Sequence, residues 1–371
     1  MHICMVAFSD LRFDYRIFRE ATSLHRAGHR VSIVASAFDP SPLTDWEGIE
    51  LDLIPIDRSL SLRRIYPAFW RWARQRLLAV RPDVFHAHDL DVLWPAVRAA
   101  KRLDVPVVYD SHELWIDQSS LVGRPAIRSF WTLLERRLIE SAHRVIAVSE
   151  SIARILEDRY RLEEVTVLRN LPLYRPPVES DRIRVELGLA ADRPVVLYQG
   201  GFLTENGLSE QIEAASDFGP AAFVLIGDGP REAALRQQVC SSDLQDRVFF
   251  IPRVPFRELH TYTCSADLGL CLIKNAGRSF YYSMPNKLFE YLMAGLPVLA
   301  SDFPEMRRVI AETDAGQVAD PGDLEAIRTL VCQMLADGDR RQAYRRAALA
   351  AGQRFNWERE AGRLTRLYAE L

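Results

Sequence analysis

Two constellations in this sequence have residue types and spacings that can do chemistry. The first is Pro285-Asn286-Lys287-Leu288-Phe289-Glu290-Tyr291-Leu292-Met293-Ala294-Gly295, a short helical stretch that Pro285 can start and Gly295 can stop. It carries a lysine in its first turn and a carboxylate one turn later, just before the apolar burst Val298-Leu299-Ala300. In open α/β sheets, ligands collect at strand carboxyl ends and at helix N-termini. A cation and a carboxylate placed there can hold opposite ends of one ligand, Lys287 an anionic group and Glu290 a pair of hydroxyls. The second constellation lies in the first half. His86 and His88 share one face of a strand that ends at Asp89, and Asp110, His112 and Glu113 end the following strand. Such groups can orient a hydroxyl or move a proton, and the histidines with Asp89 and His112 also suit a metal.

The elements that position these residues alternate between short apolar strands and amphipathic helices, which predicts parallel sheets built from βαβ units. The first series of strands is 2–8, 30–36, 83–88, 105–111, 144–149 and 165–170, with helices Asp14–Ala27, Pro67–Val80, Leu93–Leu103 and Arg128–Ala142 between them. A second series is 194–200, 221–227, 247–252, 268–273, 297–301 and 316–320. The stretch 171–182 is rich in proline and charge and lacks apolar periodicity, so it reads as a linker. The expected fold class is α/β, two Rossmann-like domains with parallel sheets facing a central cleft. The first domain spans 1–172, the linker 173–185 and the second domain 186–355, with a last helix, 356–371, crossing back to the first. In the second series Gly200 and Gly201 follow one strand, and Gly227 and Gly229 follow the next. These turns can bring backbone N–H groups to a phosphate.

The 371 residues carry a net charge of −3, which gives no global bias toward nucleic acid. No apolar run reaches the roughly 18 residues that span a bilayer. The N-terminal MHICMVAFSD lacks a basic leader and a cleavage site, so it reads as a strand rather than a signal peptide. The five cysteines show no metal-ligand spacing and read as reduced thiols in a cytoplasmic protein.

The ordered series "YQGG…GL", "LIGDGP", "FIPRVPFRELHTYTCSADLGL", "PNKLFEYLMAGLPVLASDFPE" and a terminal "FNWE" helix resembles the family 4 glycosyltransferases, which have the GT-B fold. In the first half, "FSDLRFDYRIFREATSLHRAGHRVSIV", "DVFHAHDLD", "VVYDSHELW" and "VIAVSES" resemble that family's acceptor domain. The resemblance implies a retaining transferase that moves a sugar from a nucleoside-diphosphate sugar to an acceptor hydroxyl. The second domain would take the donor and the first the acceptor. Glu290 would match the second glutamate of a motif of two glutamates with seven residues between them and hold the ribose hydroxyls. The first glutamate is replaced by Tyr282, so Tyr282 or Ser283 would meet the sugar, with the Pro285–Asn286 turn fixing that side. Gly201 and Asn206 stand where the family usually has an arginine and a lysine for the diphosphate. A leaving group without a cation faces a barrier higher by several kcal/mol. Lys287 is the expected replacement, with Arg253, Lys274 and Arg278 as further candidates. His88 and His112 match loosely the family's histidine beside the donor sugar, and Asp110 and Glu113 would orient an imidazole or an acceptor hydroxyl. Asp14, Arg16, His86 and Asp89 are the remaining acceptor-side residues, Asp14 and Arg16 bordering the acceptor.

The resemblance argues against a metal, and no cofactor is expected, the sugar nucleotide being a substrate. The acceptor would be a growing surface glycan, a lipid-linked sugar or a small natural product. Residues 59–82 interleave Tyr66, Phe69, Trp70 and Trp72 with Arg63, Arg64, Arg71, Arg74 and Arg76, a basic amphipathic pattern that suits a membrane surface. The expected location is therefore the cytoplasm, with peripheral contact at the inner face of the membrane through 59–82. Two alternatives remain open at this level: an epimerase on the same fold, and an inactive partner that binds a sugar nucleotide.

Overall fold

The computed structural model describes residues 1–39, 41, 43, 46–57 and 59–371. The chain forms two compact units, Met1–Asn170 with Glu360–Leu371, and Leu171–Arg359. The boundary thus falls just ahead of the expected linker. Part of that linker, Arg182–Leu187, is helical and belongs to the second unit, where the Ile183 N–H meets Ser265 and Arg184 pairs with Asp267.

The first unit holds seven parallel strands. They are β1 (His2–Ala7), β2 (Arg30–Ala37), β3 (Glu50–Pro55), β4 (Val84–His88), β5 (Val107–Ser111), β6 (Arg144–Ala147) and β7 (Thr166–Val167), in the order β3-β2-β1-β4-β5-β6-β7. Helices α1 (Tyr15–Arg26), α2 (Leu62–Val80), α3 (Leu90–Leu103), α4 (Pro125–Leu138) and α5 (Glu150–Tyr160) connect them. Strand β3 escaped the sequence reading because ELDLIP is a half-buried edge strand with no continuous apolar run. The strand expected over 165–170 shrinks to β7, since the N–H and guanidinium of Arg169 turn to Glu360 instead of the sheet. Helix α2 starts five residues before Pro67, which sits inside it on the exposed side.

The second unit has six parallel strands, β8 (Val195–Gln199), β9 (Ala222–Ile226), β10 (Val248–Ile251), β11 (Leu268–Cys271), β12 (Val298–Ser301) and β13 (Gly316–Ala319), ordered β10-β9-β8-β11-β12-β13. Its helices are α6 (Arg182–Leu187), α7 (Leu208–Ala214), α8 (Glu232–Ser241), α9 (Phe256–Cys264), α10 (Arg278–Tyr281), α11 (Asn286–Ala294), α12 (Pro304–Thr313), α13 (Leu324–Ala336) and α14 (Gly338–Arg354). A last helix, α15 (Trp357–Ala369), is capped by Asn356, whose side chain accepts from the Arg359 N–H, and ends in the first unit.

Both faces of each sheet are covered, as all-parallel sheets require. Along β8 the period of two sends Val195 and Leu197 into the core shared with α11, and Val196 and Tyr198 into the opposite core. In each sheet the strand order reverses once, between β1 and β4 and between β8 and β11. These are the topological switch points, and the carboxyl ends of the strands beside them are where such sheets bind ligands. Both constellations named from sequence lie at these places.

Candidate functional site

In the second unit the site grows from the ends of β8 and β11 and the start of α11. Pro285 opens α11 without a side-chain cap, so its first N–H groups remain available to an anion. Lys287 reaches back over the Tyr198 ring, with Nζ 4.0 Å from the centroid. That Nζ is buried and has no hydrogen-bond partner among the described residues, and neither has Asn286 Oδ1. One turn on, Glu290 accepts a 2.5 Å hydrogen bond from the Gln199 amide. Gly200 has φ +136, and a Cβ there would lie 3.5 Å from Lys287 Nζ, so glycine keeps the space beside the ammonium open.

The other donor-side candidates divide. Gly227 and Gly229 have positive φ because two loops touch: a Cβ on Gly227 would lie 2.0 Å from the Gly200 carbonyl, and one on Gly229 2.7 Å from the Phe202 nitrogen. They build the loop that carries Gly200 and Gly201. Asn206 does the same by donating to the Gly201 carbonyl at 2.8 Å. Lys274 is paired with Glu210 at 2.5 Å, which leaves it a weaker phosphate ligand than Lys287. Ser283 donates to the Phe280 carbonyl at 2.8 Å. Arg278 is exposed, 6.0 Å from the Tyr282 ring, and Arg253 is exposed on the loop after β10.

In the first unit the parallel register pairs His88 with Asp110, and α1 lays Arg16 and Glu20 over the same face. Arg16 was expected at an acceptor. It is buried instead, its Nε and Nη2 gripping both Asp110 oxygens at 2.8 and 2.7 Å and its Nη1 donating to the Leu168 carbonyl. Asp14 accepts from the Ile17 N–H and so caps α1. The His86 and His88 rings stack 4.3 Å apart, both buried, and Tyr368 of α15 meets His86 Nδ1 at 2.7 Å. His112 sits between two carboxylates, with Nδ1 3.3 Å from Asp89 and Nε2 3.0 Å from Asp110. Asp89 adopts φ +70, a strained conformation for a non-glycine residue, while its N–H bonds the Asp110 carbonyl and its side chain accepts the His112 N–H. His112, Asp89 and Glu113 are the members of this group that keep some exposure.

These contacts set the charges. Burial works against the His112 imidazolium, but Asp89 and Asp110 outweigh it and raise its pKa to about 10. Burial and the neighbouring His86 push His88 down to about 3. Burial opposes ionisation of Asp110, yet Arg16 and His112 hold its carboxyl well below the usual range. At neutral pH His112 is therefore a fixed cation and His88 a neutral ring of low basicity, so neither is poised as a general base. Glu20, His86, His88 and Asp110 place one ligand atom each within 4.8 Å of one another, a spacing a metal could use. Arg16 already binds both Asp110 oxygens and lies 2.9 Å from Glu20, so a guanidinium supplies the positive charge there. Glu20, Tyr198, Gln199 and Tyr368 were not singled out from sequence. Only Glu20 carried a signal, standing one helical turn from Arg16.

Two Rossmann-like units of parallel strands, each with its polar groups at a switch point, are the parts of the GT-B architecture. Two family models match in sequence: Glycosyltransferase Family 4 over residues 15–171, and Glycosyl transferases group 1 over residues 179–350. The chain is 26% identical over 308 residues to the D-inositol 3-phosphate glycosyltransferase of Xylanimonas cellulosilytica, covering 78% of this chain and 72% of that one. It is 25% identical to the phosphatidyl-myo-inositol mannosyltransferase of Mycolicibacterium smegmatis, over 95% of this chain and 88% of that one. Among solved structures, sucrose-phosphate synthase from Thermosynechococcus elongatus superposes with a TM-score of 0.82 at 19% identity, covering 100% and 98% of the two chains. HepE of Anabaena, solved with UDP-glucose, gives 0.78 at 18% identity over the whole of both chains. The chain belongs to glycosyltransferase family 4 and is a glycosyltransferase.

Proposed function

We propose that this enzyme transfers a sugar from a nucleoside-diphosphate sugar to an acceptor hydroxyl with retention of configuration, the acceptor being a growing surface glycan. The observation that carries this reading is the Lys287 Nζ, without a hydrogen-bond partner among the described residues, beside the uncapped start of α11 and one turn from a carboxylate fixed by Gln199. In this reading Lys287 and the helix N-terminus take the diphosphate, and Glu290 takes the ribose hydroxyls. HepE, with the same fold, was solved with UDP-glucose, which makes UDP-sugars the first donors to try. The glycosidic bond to the diphosphate breaks as the acceptor oxygen bonds the same face of the sugar, and the acceptor proton passes to the departing phosphate oxygen. That route asks for no protein base, in keeping with a charged His112 and a weakly basic His88. Protein cations neutralise the leaving group, so turnover should persist in EDTA.

The test is release of free nucleoside diphosphate from a panel of sugar nucleotides, with and without acceptor glycans, followed by NMR of the new anomeric centre. Acceptor-dependent release with the donor's anomeric configuration kept is expected. Conversion of the sugar nucleotide to its epimer with no net release of nucleotide would point to an epimerase, and binding with neither release nor conversion to an inactive partner.

Membrane contact is the other part of the proposal. No helix among the described residues is long and apolar enough to cross a membrane. Helix α2 turns Ile65, Phe69, Ala73 and Leu77 inward, and Trp70 donates to the Asp91 carbonyl at 2.5 Å, so most of its aromatic signature is occupied by packing. The exposed apolar side chains lie close by, in and before α4: Val122, Ile127, Phe130 and Leu133, flanked by Arg124, Arg136 and Arg137. Trp131, on the inner side of α4, packs on Tyr66 of α2 at 5.5 Å. In this proposal the arginines of α2 and the apolar face of α4 together meet an anionic bilayer. Flotation with phosphatidylglycerol vesicles should recover the wild type, and Phe130→Glu should abolish recovery without loss of fold. Equal flotation of both proteins would remove this part of the reading.

A further inference from the structure

Glu290 does not stand alone, and the groups that hold it come from outside its helix. Gln199 is the last residue of β8 and, by the strand's alternation, points to the face covered by α11. A carboxylate only accepts, so the Gln199 amide nitrogen must be the atom 2.5 Å from Glu290 Oε2. The amide oxygen is thereby turned toward α9, where the Thr263 hydroxyl donates to it at 2.7 Å. The main chain is fixed from the same side, the Gln199 N–H donating to the Tyr291 hydroxyl at 3.1 Å. Gln199 and Thr263 are 2% and 1% exposed, so water does not compete for these bonds. A charge-assisted bond in such a place is strong and directional.

We infer that Gln199, locked by Thr263, is a positioning residue that fixes the Glu290 carboxylate in the orientation that takes the two ribose hydroxyls of the nucleotide. The inference rests on the proposed role of Glu290 and extends it. With Oε2 tied to Gln199, rotation of the carboxylate is restrained and its plane is set in one orientation. Without Gln199 the side chain samples other rotamers, and part of the binding free energy goes into ordering it again. Gln199 itself does not touch the ligand.

A general loss of fold and a loss of ribose recognition predict different results, because only the second depends on the ribose hydroxyls. Calorimetric titration with UDP, GDP and ADP, each beside its 2′,3′-dideoxy form, separates them. For the nucleotide that wild type binds best, Gln199→Leu should weaken the ribose form about tenfold and leave the dideoxy form unchanged. Thr263→Val should act the same way, by about threefold. Gln199→Glu should be the worst, since it sets a second carboxylate against Glu290. Unchanged affinity in both Gln199→Leu and Thr263→Val, or equal losses for ribose and dideoxy forms, would overturn the inference. If Gln199→Leu fails to fold, Thr263→Val, which loses only a hydroxyl, decides. A wild type indifferent to the ribose hydroxyls, or Glu290→Gln with full affinity, would remove the role of Glu290 and this inference with it. Loss in Glu290→Gln with none in the other two would remove the inference alone.

Discussion

Replacing Lys287 with methionine is expected to cut turnover about 10²- to 10³-fold, the usual cost of removing a charge aimed at a developing anion, while the melting temperature stays level or rises. The two effects point in opposite directions for one reason. Lys287 Nζ is buried, faces the Tyr198 ring at 4.0 Å and has no hydrogen-bond partner among the described residues. A ring face compensates an ammonium only in part, so the folded protein holds this cation at a disadvantage that methionine, of similar length, removes. A phosphate ligand would complete the missing bonds. The measurement is steady-state turnover on the sugar nucleotide found by the release assay, beside a thermal melt. A drop of less than about fivefold in turnover, far below the range for a lost charge, would shift the phosphate-binding role to Arg253 or Arg278. A large fall in melting temperature would mean that Lys287 serves the fold.

Asp110→Ala should be the most destabilising single change in the first unit. Asp110 is fully buried and bonded to Arg16 through two oxygens, to His112 at 3.0 Å and to His88 at 3.3 Å. Its removal leaves buried cations without their counter-charge, which costs about 3–5 kcal/mol, or a fall of about 10 °C in the melting transition of a unit this size. Arg16→Met is milder, since Glu20 can remain protonated. The same cluster gives stability a pH dependence. Burial raises Glu20 to about 8 and Asp89 to about 7, and His112 is raised to about 10. Each of these folded-state values lies above the ordinary one, so their contribution is complete in acid and is lost as pH rises through about 7, 8 and 10 in turn. His88 and Asp110 lie below their ordinary values and act in the opposite sense, their contribution lost as pH falls. The melting temperature should therefore peak in mild acid and decline steadily from neutral pH into alkali. A flat profile between neutrality and about pH 10 would mean that His112 is not held between two carboxylates, because the linkage slope would then vanish.

Much of this enzyme is determined by sequence alone. The alternation of apolar runs with amphipathic stretches specifies parallel sheets, and the proline-rich stretch after Asn170 marks the passage from one unit to the other. The stretch from Pro285 to Gly295 carries its own start and stop, so α11 and its two polar residues were legible from sequence. These features are local: they depend on the period of the pattern and on a few capping residues. Tertiary structure decided what each polar side chain does. Nothing near Arg16 in the sequence announces Asp110, 94 residues away, and nothing near Gln199 announces Glu290, 91 away. Asp14, Gly227, Gly229, Asn206 and Lys274 looked available from their positions, but their neighbours in space hold them. Whether a charge is free for a ligand or neutralised by the protein depends on strand register and helix packing, because hydrogen bonds and ion pairs act over a few ångströms in space and take no account of distance along the chain.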